Sequence, residues 1–179
     1  MNIAFPVIFI AIAAGVFWLT QVYLPRQRRL KRAQYLEIIG DEGTHDIETG
    51  THQRQRSRRS SGSGNESTRY HYARLRLEPP WSTLSCALSM DAVPQHESPL
   101  VHESPTETQM LCCWGHPPEA AERLQEAMVT SAIRSFLGSG KSHTIVGGVV
   151  TIEHLAAEVD PMAEVAMMTD ISDLRRVLG

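Results

Sequence analysis

The chain has 179 residues, of which 42% are hydrophobic and 6% aromatic, and its net charge at pH 7 is -3. This length accommodates one modest domain with accompanying segments and excludes a large enzyme core. The charge is divided unevenly: residues 1–76 carry 12 Lys and Arg against 6 Asp and Glu, whereas residues 77–179 carry 5 against 14. A basic N-terminal part is therefore followed by an acidic C-terminal part.

The first element is an apolar run over residues 3–24 that contains no charged side chain. As a helix it would rise roughly 33 Å, enough for a bilayer core of about 30 Å. The basic residues follow this run and none precedes it, so the positive-inside rule places the following chain in the cytoplasm. The sequence therefore predicts a single-pass transmembrane helix in a membrane protein whose C-terminus is cytosolic.

A basic juxtamembrane helix is predicted over residues 25–39. Near an anionic lipid surface each basic side chain contributes on the order of 1 kcal/mol of attraction. The predicted membrane-surface contacts are Arg26, Arg28, Arg29, Lys31 and Arg32.

Residues 40–68 are predicted to form a disordered basic stem, because they contain too little apolar surface to offset the entropy of ordering. In the cytosol, Ser57, Ser60 and Ser61 are candidate phosphorylation sites, where each phosphate adds about -1.5 to -2 charge beside arginine.

The same stem carries signals for the opposite compartment. Arg56 to Arg59 resembles a basic processing site, and Asn65-Glu66-Ser67 is an N-glycosylation sequon. The alternative interpretation is therefore a lumenal or secreted glycoprotein domain that is released by cleavage after Arg59.

Residues 69–179 are predicted to form a small acidic α+β domain with a loop near 93–109. Residues 69–77 alternate like a half-buried strand, residues 117–137 have helical periodicity, and Pro161 is placed for the first turn of a C-terminal helix. The predicted fold class is thus a single transmembrane helix plus a small α+β C-terminal domain, joined by a disordered basic stem.

No motif in the sequence predicts a catalytic, cofactor or metal site. The Gly140-Lys141-Ser142 triplet lacks the spacing and strand–helix context of a phosphate-binding loop. Cys112 and Cys113 are adjacent, which is a poor arrangement for two ligands of one zinc ion.

Arginine is interleaved with Tyr70 and Tyr72 between Arg54 and Arg76, a composition also used to bind nucleic acid. The acidic C-terminal part would repel phosphate and argues against that partner.

These features together predict a membrane-anchored, non-enzymatic adaptor, or an accessory protein of the kind that small viral genomes encode. Its cytosolic domain would bind another protein, whose identity the sequence does not give. The released lumenal domain is one alternative. A membrane-tethered enzyme of unknown chemistry is the other.

Overall fold

The chain forms a seven-stranded antiparallel sheet with helices packed on one face. The computed structural model describes residues 13, 15–39, 46–56, 66–140 and 142–179. The strand order across the sheet is β1-β2-β7-β6-β3-β5-β4. The strands are β1 (Glu48–Arg56), β2 (Glu66–Arg76), β3 (Ser85–Ala87), β4 (Leu100–His102), β5 (Leu111–Trp114), β6 (His143–Val146) and β7 (Val149–Leu155).

Four α-helices are described alongside the sheet. They are α1 (Leu24–Ile39), α2 (Pro118–Arg123), α3 (Ala127–Gly138) and α4 (Pro161–Leu178), and a π-helical turn, Leu19–Tyr23, precedes α1. Helix α4 begins where the sequence predicts, because Pro161 lies in its first turn and the Asp160 carboxylate accepts a hydrogen bond from the Ala163 amide at 2.8 Å.

The core lies between the sheet and the helices α3 and α4. Alternate residues of β2, such as Ala73 and Leu75, face the helices and are buried, as are Val150 and Ile152 on the neighbouring strand β7. Full burial of each Leu, Val or Ile side chain among them stabilises the fold by about 1.5–3 kcal/mol relative to exposure. The opposite face of β1, β2 and β7 is left without a covering helix among the described residues.

The transmembrane prediction is wrong. Within the described part of the chain, no helix has the length and apolar content needed to cross a membrane. Residues 3–12 and 14 of the predicted span lie outside the described residues, and the uncharged helical run at 15–25 would rise only about 16 Å before the arginines begin. The prediction of a single-pass topology with a cytosolic C-terminus depended on that span and is therefore also wrong.

The predicted disordered stem is also wrong over part of its length. Residues 48–56 form β1, which pairs with the whole of β2 from Glu48↔Arg74 to Arg56↔Glu66. This ordering does not require buried apolar residues, because the strand is held by the ladder and by cross-strand side-chain pairs. In addition, the predicted loop near 93–109 contains the short strand β4.

The residues predicted to touch lipid lie on α1. Arg26, Arg29 and Lys31 are exposed there, and the side chains of Arg28 and Arg32 are outside the described set. Their contact with anionic lipid stays a prediction. The candidate phosphorylation sites Ser57, Ser60 and Ser61, together with Arg59 and Asn65, lie outside the described residues.

Candidate functional site

The helix-free face of β1 and β2 carries a continuous group of aromatic and arginine side chains. Because side chains alternate along a strand, residues that pair across the two strands point to the same side. His52 opposes Tyr70, Gly50 opposes Tyr72, and Glu48 opposes Arg74. We call this surface the aromatic–arginine face; it consists of Glu48, His52, Arg54, Tyr70, Tyr72 and Arg74, with Glu153 of β7 beside them.

Ring contacts organise the aromatic–arginine face. The Arg54 guanidinium carbon lies 5.5 Å from the centroid of the Tyr70 ring, and that of Arg74 lies 5.1 Å from the Tyr72 centroid. The His52 ring stacks on Tyr70 at 5.8 Å and lies tilted to Tyr72 at 5.9 Å. Cation–π contacts at exposed sites are worth about 0.5–1 kcal/mol each, so they orient the side chains more than they stabilise the fold.

Two carboxylates hold the cationic side chains. Glu48 accepts hydrogen bonds from Arg74 Nε at 2.9 Å and Nη2 at 3.0 Å, and a third from the Tyr72 hydroxyl at 3.0 Å. Glu153 lies 3.4 Å from Arg54 Nη2 and 3.8 Å from His52 Nε2. The arginines of this face are thus oriented by fixed partners.

The ionisation of the Glu48 group reflects this network. The hydrogen bond from Arg74, followed by that from Tyr72, lowers the pKa of the Glu48 carboxyl. A lowered folded-state pKa means that the stability from this carboxylate is present above its unfolded-state pKa, and it is lost as the pH falls through the folded-state pKa. The pKa of Arg74 rises for the reciprocal reason.

Gly50 provides the space that the Tyr72 ring occupies. A methyl group at Gly50 would come within 2.7 Å of the Tyr72 hydroxyl oxygen and 2.8 Å of Cζ. Tyr72 therefore lies across β1 over a residue without a side chain. A Gly50→Ala substitution would displace the ring from Glu48 and His52.

The Tyr72 hydroxyl is expected to ionise above the ordinary tyrosine pKa of about 10. Its hydrogen bond to Glu48 is the main cause of the raised pKa, because the neutral hydroxyl donates and the tyrosinate cannot. The stability linked to this proton is present below the unfolded-state pKa and is lost as the pH rises through the raised one.

The measurement is a spectrophotometric titration of tyrosinate formation. The titration curve of the Tyr72→Phe variant is subtracted from that of the wild-type chain to isolate the signal of Tyr72. Glu48→Ala should return the pKa of Tyr72 towards its ordinary value, whereas Glu158→Ala, which removes an exposed carboxylate from a turn after β7, should not. An unchanged titration in Glu48→Ala would contradict the hydrogen bond.

Cys112 and Cys113, the adjacent cysteines weighed as zinc ligands, contact different sulfur atoms. Cys113 Sγ lies 3.2 Å from Cys86 Sγ, and Cys112 Sγ lies 3.0 Å from Met90 Sδ. Burial raises the pKa of the Cys86 and Cys112 thiols, which keeps both protonated. The part of the chain that the structure describes contains no group of three or more His, Cys, Asp or Glu able to hold a metal ion.

Ser142, His143 and Asp170 contact one another in the sequence serine–histidine–aspartate that a hydrolytic triad uses. The distances between them are longer than those of a productive triad. Ser142 Oγ is 3.4 Å from His143 Nδ1, and His143 Nε2 is 3.9 Å from Asp170 Oδ2. Productive nucleophile–base contacts lie at about 2.6–3.2 Å, although they are often looser in proteins without substrate. The His143 ring is instead packed edge-on against Phe136 at 4.9 Å. His143, which is buried, is therefore better explained as a packing residue than as a catalytic base.

Sequence reasoning found only half of the aromatic–arginine face. The interleaving of arginine with Tyr70 and Tyr72 is visible in the sequence, but Glu48, Gly50 and His52 fall in the segment that is predicted to be a disordered stem. The available signal was the spacing of two residues between Glu48, Gly50, His52 and Arg54, which is the period of a strand. Helix α1, which carries Arg26, Arg29 and Lys31, packs against α4.

No protein family, curated protein or solved structure matches this chain.

Proposed function

We propose that this protein is a non-enzymatic binding module that contacts a protein partner through the aromatic–arginine face. The observation that carries the proposal is the set of tyrosine, histidine and arginine side chains held in place on an uncovered sheet. Tyrosine and arginine are enriched among residues that contribute most to protein interfaces, and tyrosine offers a large contact area at low entropic cost.

Fixed side chains reduce the cost of association. Tyr72 is held by Glu48 and by His52, and Arg74 is bound through two nitrogens to the same carboxylate. Side chains that are already ordered lose less conformational entropy when a partner binds. This argument favours a preformed contact surface.

The charges of the face favour a protein over nucleic acid. Glu48 and Glu153 pair with Arg74 and Arg54, so two of the arginines are already neutralised by carboxylates. A phosphate backbone would have to displace those carboxylates or approach them closely, at an electrostatic cost. A protein surface can present both donors and acceptors to such a face.

Site-specific photo-cross-linking tests the proposal. The full chain with p-benzoylphenylalanine in place of Tyr70 is expected to give one discrete cross-linked protein in its native cell extract. The matched control carries the same group in place of Met162, which is 59% exposed on α4, away from the face. Unlabelled wild-type chain should compete for the cross-link, and chain with Tyr70→Ala and Tyr72→Ala should not.

Equal cross-linking from both positions would contradict the proposal. A second contradictory result is saturable, steeply salt-dependent binding of a single-stranded oligonucleotide, measured by fluorescence anisotropy and abolished by the two tyrosine substitutions. That result would assign the face to nucleic acid instead.

A further inference from the structure

Two cysteines lie directly opposite each other on neighbouring strands of the sheet. Cys86 of β3 pairs with Cys113 of β5 in the antiparallel register, and their Sγ atoms are 3.2 Å apart. Cys86 also pairs with Ile145, whose side chain belongs to the core, and residues paired across strands point to the same side. Both thiols therefore lie on the helix side of the sheet and face each other.

The backbone spacing of this pair fits a disulfide bond. Directly opposed residues of antiparallel strands have Cα atoms about 4.5 or 5.5 Å apart, depending on the hydrogen-bonding pattern. A disulfide accepts Cα separations of about 4.4–6.8 Å and has an S–S bond of about 2.05 Å. From their separation of 3.2 Å, the sulfur atoms of Cys86 and Cys113 need to approach by only about 1.2 Å to bond. The strand pairing that brings them together can therefore be retained.

Cys112 does not compete for the same bond. As the neighbour of Cys113 it points to the opposite side of β5, where its Sγ lies 3.0 Å from Met90 Sδ. It is as completely buried as Cys113. The chain therefore offers a similar cysteine outside the pair as an internal control.

We infer that Cys86 and Cys113 form a disulfide when the chain folds in the presence of a low-molecular-weight disulfide such as oxidised glutathione. One cysteine thiolate attacks a sulfur of the small disulfide, which gives a mixed disulfide and releases one small thiolate. The second cysteine then attacks the protein sulfur of that mixed disulfide and displaces the second small thiolate. The two protons lost by the cysteines are taken up by the two released thiolates, so the protein loses two electrons and the reagent gains them. The inference does not depend on the proposed function.

This reaction belongs to the folding chain, because the thiols are inaccessible once the sheet has formed. Cys86 is only 4% exposed and Cys113 is completely buried. Burial, followed by the contact with Cys113, raises the pKa of the Cys86 thiol, so that the attacking thiolate is scarce in the folded chain. The same burial protects the bond from external thiols after it has formed.

The bond would constrain the unfolded chain. Cys86 and Cys113 are 27 positions apart in the sequence, and the loop between them contains β4. Closing a loop of this length removes entropy from the unfolded chain, and we expect the oxidised chain to have a Tm roughly 7–14 °C above that of the reduced chain.

Oxidative refolding of the full chain tests this inference. The reduced, denatured chain is refolded with a mixture of reduced and oxidised glutathione, its free thiols are blocked, and the product is cleaved after glutamate. Glu97, Glu103 and Glu107 lie between the two cysteines, so this cleavage separates Cys86 from Cys113 unless a disulfide joins their peptides. We expect mass spectrometry to find the two peptides joined, and to find them separate after reduction.

Cys112→Ala is the matched control, because it removes a buried thiol that lies outside the pair. The joined peptides should persist in Cys112→Ala and should be absent from Cys86→Ala and Cys113→Ala. The Tm shift is measured within each variant, as the difference between the oxidised and the reduced chain, so that the effect of truncating a buried side chain cancels. This shift should persist in Cys112→Ala and vanish in the other two variants.

A free Cys86 thiol in the refolded wild-type chain would overturn the inference. Joined peptides that persist in Cys113→Ala but are lost from Cys112→Ala would also overturn it, because they would assign the bond to Cys112. A third contradictory result is an oxidised wild-type chain that unfolds at a lower temperature than the reduced one, which would mean that the bond distorts the sheet.

Discussion

Gly148→Ala is expected to lower the free energy of unfolding by about 2–5 kcal/mol, the sum of a left-handed backbone penalty and an overpacking penalty. Gly147 and Gly148 form the two-residue turn between β6 and β7, with φ of 56° and 72°. A methyl group at Gly148 would fall on the backbone carbonyl of Ser82, which cannot rotate away as a side chain could. Because domains are commonly stable by only 5–15 kcal/mol, this loss is severe.

Gly147→Ala is the matched control for that substitution. It has the same left-handed conformation, but nothing lies within 4 Å of its added methyl group. We expect it to cost only the backbone penalty, about 1–2 kcal/mol. Urea unfolding followed by circular dichroism gives both values, and equal losses in the two variants would mean that Ser82 does not approach Gly148 as described.

Trp81→Ala is expected to cost about 3–5 kcal/mol, the range for truncating a large buried aromatic side chain. Trp81 is only 3% exposed. It lies in the segment before β3, and its hydrogen bond to the Leu178 carbonyl connects that segment to the end of α4. Truncation would leave a void and an unpaired carbonyl in the same place. The measurement is again denaturant unfolding, with the midpoint and slope determined separately.

Trp81→Phe separates the two contributions. It retains an aromatic ring but removes the Nε1 donor, so the cost should fall to about 1–3 kcal/mol for the carbonyl left without its partner. If Trp81→Phe is as destabilising as Trp81→Ala, the hydrogen bond and not the packing dominates. That outcome would contradict the larger value assigned to the void.

The fold could be predicted from the sequence in those elements where burial gives the hydrophobic residues the period of a strand or a helix. The alternation of β2 and the start of α4 at Pro161 follow directly from hydrophobic pattern and capping. By contrast, the helix predicted over 117–137 is broken into α2 and α3, with Leu124 buried at the end of the first and the extended residue Glu126 before the second. Helical periodicity continues across this break and does not reveal it.

The candidate site was less predictable because half of it lies on a polar strand. Strand β1 contains no Val, Ile, Leu or aromatic residue other than His52. Its low hydropathy is therefore typical of a linker. Its order comes from long-range pairing with β2, which a single sequence does not display. The membrane prediction was wrong because no helix among the described residues has the length and apolar content to cross a membrane.

The most direct measurement is to map, by NMR, which backbone amides shift when the cross-linked partner is added to the isotopically labelled full chain. If the aromatic–arginine face is the contact surface, the largest shifts will fall on His52, Tyr70, Tyr72 and Arg74, and Gly50→Ala will weaken binding without unfolding the chain. Shifts confined to α3 and α4, with β1 and β2 unchanged, would contradict the assignment of this face to partner binding.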